Sequence, residues 1–255
     1  MKGIDKMEKS KNLILDLYPS TKFLISLFMI ISVFIVEGYL YGYLMVPLSL
    51  LIALYAGVFK ELFSLVMKTL FVLTIFIFMI QSFFYPGDTI LWSWSFLSLR
   101  QEGIDFAMLL TSRIAAIGSA LLLFFRITSV KDIVYSLEML GLPPKVTYVV
   151  LSTLTIIPEM KKLSLAIMDA QKTRGVETEG NLRVRAKAFL PTLTPLILTS
   201  VASTEERALT LEARAFTAPV KKTSLYRIDK TKKDTVVRIL LLILLVTIIV
   251  WRVAL

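Results

Sequence analysis

The sequence predicts an all-α polytopic membrane protein: about five transmembrane helices, with long amphipathic helices between the fourth and the fifth. Three observations predict this class. Of the 255 residues, 56% are apolar and 19% charged, whereas soluble domains hold roughly 45–50% apolar and 25% charged residues. The apolar residues fall in blocks close to the roughly 20 residues that a membrane helix needs. The stretch before the last block instead carries apolar residues at helical spacing among many charges.

Residue types that are missing exclude several classes of chemistry. The chain has no cysteine and no histidine. It therefore forms no disulfide and no thiolate metal site, and it lacks the commonest general base and zinc ligand. It also contains no Gly-x-x-x-x-Gly-Lys-Ser/Thr loop, so the chain is not an ATPase by itself.

Five apolar blocks are predicted to cross the bilayer as helices, because they are too continuous for barrel strands. The first follows a polar leader and is itself followed at once by the second, which favours a retained span over a cleaved signal peptide. The blocks divide the chain into a membrane part at 1–126, a region at 127–235 and a last span at 236–255. They are Thr21–Val36, Gly38–Phe59, Leu62–Tyr85, Ile104–Phe125 and Val236–Leu255.

Basic residues predict the orientation. Of 29 lysines and arginines, residues 1–22 hold five and residues 126–238 hold 19. By the positive-inside rule the N-terminus lies in the cytoplasm and the C-terminus outside, in the cell membrane. The outer side then has a tight turn at Glu37 and a loop at 85–103, in which Trp92 and Trp94 are predicted interfacial anchors.

Arg113 lies inside the fourth block. An arginine in a membrane helix costs roughly 2.5–3.5 kcal/mol on insertion scales, so the side chain should face protein or water. One interpretation is a substrate path. The other, which we favour, is a structural tie by hydrogen bonds to polar groups or carbonyls of neighbouring spans.

The region between the last two spans is strongly basic and reads as three helices, over 129–140, 144–174 and 188–216, with a polar turn at 176–187. The apolar half at 146–157 has strand propensity too, but an isolated strand would leave its backbone unpaired at a membrane. Prolines should start or bend these helices, and they are Pro143, Pro158, Pro191 and Pro195. The third helix carries an apolar stripe at helical spacing, formed by Leu190, Leu193, Ile197, Val201, Ala208 and Leu211.

Two of these helices end in similar short strings. One is Thr173-Arg174-Gly175 and the other is Ala213-Arg214-Ala215. Taken singly, each is explained by helix capping, because an arginine in the last turn favours the helix dipole and a glycine ends a helix. Their occurrence at matching places on consecutive helices suggests a shared function.

These features resemble the transmembrane T component of energy-coupling factor transporters, a CbiQ-like family of vitamin and metal-ion importers of the ATP-binding-cassette class. The two strings are similar to the Ala-Arg-Gly motifs of that family. The run from Leu142-Pro143 through Ile157-Pro158 to Gly175 also resembles it, as does the stretch from Asp16 to Lys22 before the first span. Departures are Thr173 and Ala215 within the motifs and Thr155 where the family often has an arginine.

The resemblance implies a non-catalytic scaffold. Arg174 with Gly175 and Arg214 with Ala215 would dock two cytoplasmic ABC-type ATPases. The apolar stripe at 190–211 would contact a small substrate-binding membrane subunit. The chain would need no cofactor of its own, because ATP is bound by the partner ATPases, and no nucleic acid is expected among its partners.

Two other classes stay open from the residues alone. One is a polytopic membrane enzyme that acts on lipid or phosphate substrates at the cytoplasmic interface, with Asp169, Glu177 and Glu179 around a metal. The other is a self-sufficient channel or permease. Co-purification separates them, because only a T component should bring ATPases and a small membrane protein with it.

Overall fold

A computed structural model describes residues 12, 14–94, 97–176, 181–220, 228 and 230–254. Their contacts form two compact units, which we describe one at a time. The first unit combines residues 1–136 with residues 227–255, and the second comprises residues 137–226.

The first unit is a bundle of apolar helices. Residues Phe59–Phe84 form one continuous apolar helix. A π-helical turn at Val66–Phe71 within it separates α3 from α4. The helices of the unit are α1 (Pro19–Ile35), α2 (Tyr39–Tyr55), α3 (Phe59–Leu65), α4 (Val72–Phe84), α5 (Gln101–Ile127) and α9 (Lys232–Ala254).

All five predicted apolar blocks are helical, which confirms the predicted fold class. Three of the helices, Phe59–Phe84, α5 and α9, are long and apolar enough to cross a membrane. The other two, α1 and α2, have 17 residues each, at the short end of the range of about 17–25 residues for a span.

Small residues let α5 pack at the centre of this bundle, against α1, α2 and α4. A Cβ added to Gly42 would lie 2.8 Å from Ser112 Oγ, and one added to Gly118 would lie 2.4 Å from Leu70 Cδ2. Close approach of this kind is the usual basis of helix packing in a membrane. Ala116 of α5 joins a buried cluster with α1 and α2 residues.

A β-hairpin replaces the predicted loop after α4. Strand β1 (Ile90–Trp94) pairs antiparallel with β2 (Leu97–Arg100), and Trp92 lies opposite Leu99. In this stretch Ser alternates with Trp and other apolar residues, which is the period of a strand. The loop prediction overlooked this signal. The side chains of Trp92 and Trp94 are outside the described part of the structure, so their role as anchors stays a prediction.

The second unit consists mainly of two long helices, α7 (Pro144–Thr173) and α8 (Leu182–Ala213). The short α6 (Val130–Met139) begins in the first unit and ends in the second. The predicted bounds of α6 and α7 hold to within a residue. The prediction was wrong for α8, which begins at residue 182 instead of 188. The residues that were assigned to the turn there are mostly arginine, lysine and alanine, which are good helix formers despite their polarity.

The prolines act in two ways. Pro143 was predicted among the helix kinks, but it precedes α7 as its N-cap residue. Pro158, Pro191 and Pro195 lie inside continuous helices. Each of these three lacks an N–H, so the carbonyl four residues earlier loses its helical donor.

Candidate functional site

The first arginine string forms a tight turn that ends α7. Arg174 is the C-cap residue, and Gly175 follows with φ +84° in the left-handed region. The N–H of Val176 donates to the carbonyl of Gln171 at 3.1 Å, and the N–H of Gly175 donates to that of Lys172 at 3.0 Å. This pair of hydrogen bonds defines a Schellman motif, which closes the helix and leaves the arginine side chain at its tip.

The second string has the same backbone geometry at the end of α8. Arg214 is the C-cap residue, and Ala215 has φ +56°. The N–H of Phe216 donates to the carbonyl of Leu211 at 2.9 Å, and the N–H of Ala215 donates to that of Glu212 at 2.9 Å. Among the described residues, Ala215 is the only one other than glycine with positive φ. The likeness of the two strings is therefore one of conformation as well as of sequence.

Contacts between α7 and α8 show that the two helices run antiparallel. Gln171, near the end of α7, donates from Nε2 to the carbonyl of Pro191, near the start of α8, at 3.3 Å. At the other end the ring of Tyr148 lies 5.3 Å from that of Phe216. The two arginine turns consequently lie at opposite ends of the helix pair, separated by about 39 Å, the rise of the helix from Tyr148 to Arg174.

Both arginines are open to binding from outside the chain. Arg174 and Arg214 are exposed, and no carboxylate of the described residues forms an ion pair with either guanidinium. A guanidinium with all its donors available matches a carboxylate in a bidentate pair. Each turn thus presents a cationic fork on a fixed backbone.

Gln171 also fixes the first arginine turn relative to α8. Pro195 has no N–H, so the carbonyl of Pro191 lacks its usual helical donor, and the Gln171 amide supplies one. Sequence reasoning included Gln171 only within the family-like run from Leu142 to Gly175 and gave it no role. The spacing of Pro191 and Pro195 shows in the sequence that one carbonyl of α8 lacks its helical donor. The antiparallel pairing of α7 and α8 is also needed to identify Gln171 as the side chain that supplies it.

The surface of α8 that packs on α7 makes polar contacts. Ser200 Oγ donates to Met160 Sδ at 2.9 Å, and Arg207 Nη2 pairs with Glu159 Oε2 at 2.7 Å. The predicted apolar stripe lies largely on the exposed surface. Four of its members are exposed and two, Leu193 and Leu211, are half-buried; the exposed ones are Leu190, Ile197, Val201 and Ala208.

Arg113 contacts α1 in the first unit. Its guanidinium carbon lies 5.6 Å from the centroid of the Phe34 ring. Its Nε is buried and has no hydrogen-bond partner among the described residues. Arg113 therefore makes a cation–π contact with α1, and its role as a structural tie stays a prediction.

A polar cluster joins the starts of α1 and α9 and the end of α5, and sequence reasoning missed most of it. Lys22 is buried and donates from Nζ to the carbonyls of Leu15, at 2.8 Å, and Ile127, at 3.0 Å. Buried Asp234 accepts the N–H of Tyr18 at 2.7 Å. Burial raises the pKa of the Tyr18 phenol, which keeps it protonated. The segment from Asp16 to Lys22 thus anchors the membrane bundle.

The acidic residues considered for an enzyme do not form a site in the described structure. Asp169 lies 3.9 Å from Lys172 in a pair on the surface of α7, and Glu177 and Glu179 are outside the described residues. Among the residues that are described, no group of three acidic side chains is placed to hold a metal ion.

Comparisons with known proteins agree on one family. The family model of the cobalt transport protein, CbiQ, matches residues 11–226. The chain is 28% identical to the energy-coupling factor transporter transmembrane protein EcfT of Ruminiclostridium cellulolyticum over 86% of its own length and 85% of that relative. It is 29% identical to EcfT of Brevibacillus brevis, covering 78% and 80%, and 27% identical to that of Acidaminococcus fermentans, covering 89% and 88%.

Proposed function

Because the chain belongs to the cobalt transport protein (CbiQ) family, we propose that it is the transmembrane component of an energy-coupling factor transporter. Relatives that carry this name align with most of the chain. In this function the chain links ATP hydrolysis by two cytoplasmic ATPases to the movement of a membrane subunit that binds a vitamin or a metal ion. The chain is a scaffold without a catalytic site or cofactor of its own, and ATP belongs to the ATPases.

The observation that carries the proposal is the pair of matching arginine turns at opposite ends of α7 and α8. Two matching turns about 39 Å apart, by the rise of the helix from Tyr148 to Arg174, suit two separate ATPases better than one. Arg174 binds a carboxylate-lined groove on one ATPase, and Arg214 binds the equivalent groove on the other. Gly175 and Ala215 each supply a left-handed residue, which lets the chain turn away directly after the arginine.

The exposed apolar surface of α8 supports the contact with the substrate-binding subunit. Leu190 is 68% exposed and Ile197 is 56% exposed, an unfavourable arrangement for a helix that meets only water. When ATP draws the two ATPases together, the forces act on both ends of the α7–α8 pair. Rigid helices transmit that movement to the apolar surface, and the substrate-binding subunit shifts with it.

Orientation follows from the same function. Both arginine turns must lie in the cytoplasm, where the ATPases are, so the N-terminus is cytoplasmic and the C-terminus is outside. The distribution of basic residues favours the same arrangement, because residues 126–238 hold 19 of the 29 lysines and arginines.

The test is a pull-down of the ATPases by the purified chain. Removing one arginine from a desolvated ion pair costs about 2–5 kcal/mol, a loss of roughly thirtyfold to several thousandfold in affinity. A single substitution, Arg174→Ala or Arg214→Ala, leaves one anchor and retains partial assembly. The double substitution should release both ATPases and abolish uptake, and lysine should restore binding only in part because it lacks the fork.

Lys161→Ala combined with Lys162→Ala is the matched control. It removes two exposed positive charges from α7 without touching either turn, and it should retain the ATPases. Full retention by the double arginine variant, with normal membrane insertion, would refute docking through these turns. Equal loss in the lysine control would mean that net charge is responsible.

A further inference from the structure

A groove runs between α1 and α9 on the membrane bundle. Its volume is about 320 Å³, within the usual range of roughly 300–1,000 Å³ for small-molecule sites. Seven of its eight lining residues are leucine, isoleucine or phenylalanine, among them Leu24 and Leu27 of α1 and Leu241 and Leu245 of α9. The eighth is Arg238, the groove's one charged residue.

The guanidinium of Arg238 is only partly satisfied by the chain. Its Nε donates to Thr21 Oγ1 at 2.9 Å, while its Nη2 is buried and has no acceptor among the described residues. Asp234, one helical turn earlier, has both carboxylate oxygens engaged by backbone N–H groups, those of Tyr18 at 2.7 Å and Thr231 at 2.8 Å. The Tyr18 ring, whose centroid lies 6.0 Å from the guanidinium carbon, gives Arg238 a cation–π contact but no acceptor for Nη2. An anion at this position would supply that acceptor.

The order of charged and apolar residues along the groove matches that of the headgroup and acyl chain of a phospholipid. The Tyr18–Asp234 hydrogen bond places the starts of α1 and α9 side by side. Arg238 lies about 9 Å along α9 from Lys232, and the leucines continue for about 10 Å toward the bilayer centre. Lys230, Lys232 and Lys233 are exposed at the start of the helix, at the level where anionic headgroups collect.

We propose that this groove binds one anionic phospholipid, with its phosphate on Arg238 and an acyl chain along the leucines of α1 and α9. A single ligand that is anionic at one end and apolar beyond it satisfies both the Nη2 donor and the groove. A bound lipid also stabilises the packing of α9, because α1 is the element of the described chain on which α9 mainly packs. A lipid between the two helices adds contacts on both sides.

Native mass spectrometry of the full chain in detergent tests the proposal, with phosphatidylglycerol and phosphatidylcholine of equal chain length as probes. Both lipids offer Arg238 a phosphate, but the choline cation is repelled by the exposed lysines at the start of α9. We therefore expect one phosphatidylglycerol to bind at least tenfold more tightly than phosphatidylcholine. Arg238→Leu should reduce the affinity for phosphatidylglycerol by about tenfold to a hundredfold, the range for a hydrogen bond to a charged group. Leu241→Trp, which fills the groove, should weaken binding of both lipids.

Arg252→Leu is the matched control, because it removes an arginine from the same helix at its other end, where Arg252 pairs with Glu37. It should leave the preference for phosphatidylglycerol unchanged. Equal affinity of the unsubstituted chain for both lipids would overturn the proposal without any variant. A loss in Arg252→Leu as large as in Arg238→Leu would also overturn it, because the preference would then follow total charge.

Discussion

Ala215 occupies a backbone position that glycine fits better, and exchanging the residues of the two arginine turns tests this quantitatively. Gly175 and Ala215 hold equivalent places in two Schellman motifs, with φ +84° and +56°. An added Cβ at Gly175 would meet nothing within 4 Å. The cost of Gly175→Ala is therefore backbone strain alone, without any steric clash.

The magnitude follows from two opposing effects. A left-handed conformation costs an L-residue about 1–2 kcal/mol. Replacing glycine by alanine also restricts the unfolded chain, which returns about 0.4–1 kcal/mol. The net effect is about 1 kcal/mol, so Gly175→Ala should destabilise the end of α7 by that amount and Ala215→Gly should stabilise the end of α8 by the same amount.

Amide hydrogen exchange measures each turn separately. The Val176 and Phe216 amides donate the outer hydrogen bonds of the two motifs, so their exchange reports local opening. A change of about 1 kcal/mol is roughly fivefold in the opening equilibrium. We expect exchange at Val176 to become about fivefold faster in Gly175→Ala, and exchange at Phe216 about fivefold slower in Ala215→Gly.

Ala213→Gly provides the matched control, because it makes the same chemical change two residues earlier, inside α8. Glycine in a helix costs about 0.8–1 kcal/mol relative to alanine, so this variant should accelerate exchange at Phe216. Opposite signs for the two Ala→Gly changes are the signature of a left-handed residue at position 215. Acceleration by both would refute the assignment.

Three further predictions concern other parts of the chain. Gln171→Leu removes the donor to the Pro191 carbonyl and should destabilise the α7–α8 pair by about 1–3 kcal/mol, read as faster amide exchange near the end of α7; unchanged exchange would contradict that role. Asp234→Asn leaves one acceptor for two backbone N–H groups and should lower the thermal stability of the membrane bundle by a comparable amount, and equal melting temperatures would argue against the cluster. A cysteine introduced at Glu37 should react with a membrane-impermeant label added from outside, whereas a cysteine introduced at Lys60 should react only after lysis. The reverse pattern would overturn the predicted orientation.

The parts of the fold that the sequence predicted correctly depend on local information. Length and apolar composition located all the membrane helices, and helical spacing with a cap located the ends of α6 and α7. Two local predictions were wrong, each for its own reason. The start of α8 is polar but rich in helix formers, and the hairpin at 90–100 has alternation that was overlooked.

The parts of the site that could not be predicted depend on how the helices pair. Both arginine strings are evident in the sequence, yet their placement at opposite ends of one antiparallel pair needs the contacts Gln171–Pro191 and Tyr148–Phe216. The polar cluster at Lys22 and Asp234 joins residues more than 200 positions apart, through the Tyr18–Asp234 hydrogen bond. No spacing rule links such residues, because their proximity is a property of the folded bundle.

The second unit has no apolar core among its described residues. In the described part of that unit, the buried residues are Thr147, Gln171 and Thr192, all polar, and the buried apolar residues of the described chain belong to the first unit. Burial of apolar surface is the dominant stabilising term in folding, so α7 and α8 contribute little of it to each other. The contacts described between α7 and α8 are an amide hydrogen bond, a hydroxyl–sulfur hydrogen bond, an ion pair and a ring contact, so the pair can change its crossing angle without breaking an apolar core. The proposed transmission of movement requires this property, and the same apolar surface that fails to form a core is the one that the proposed partner would cover.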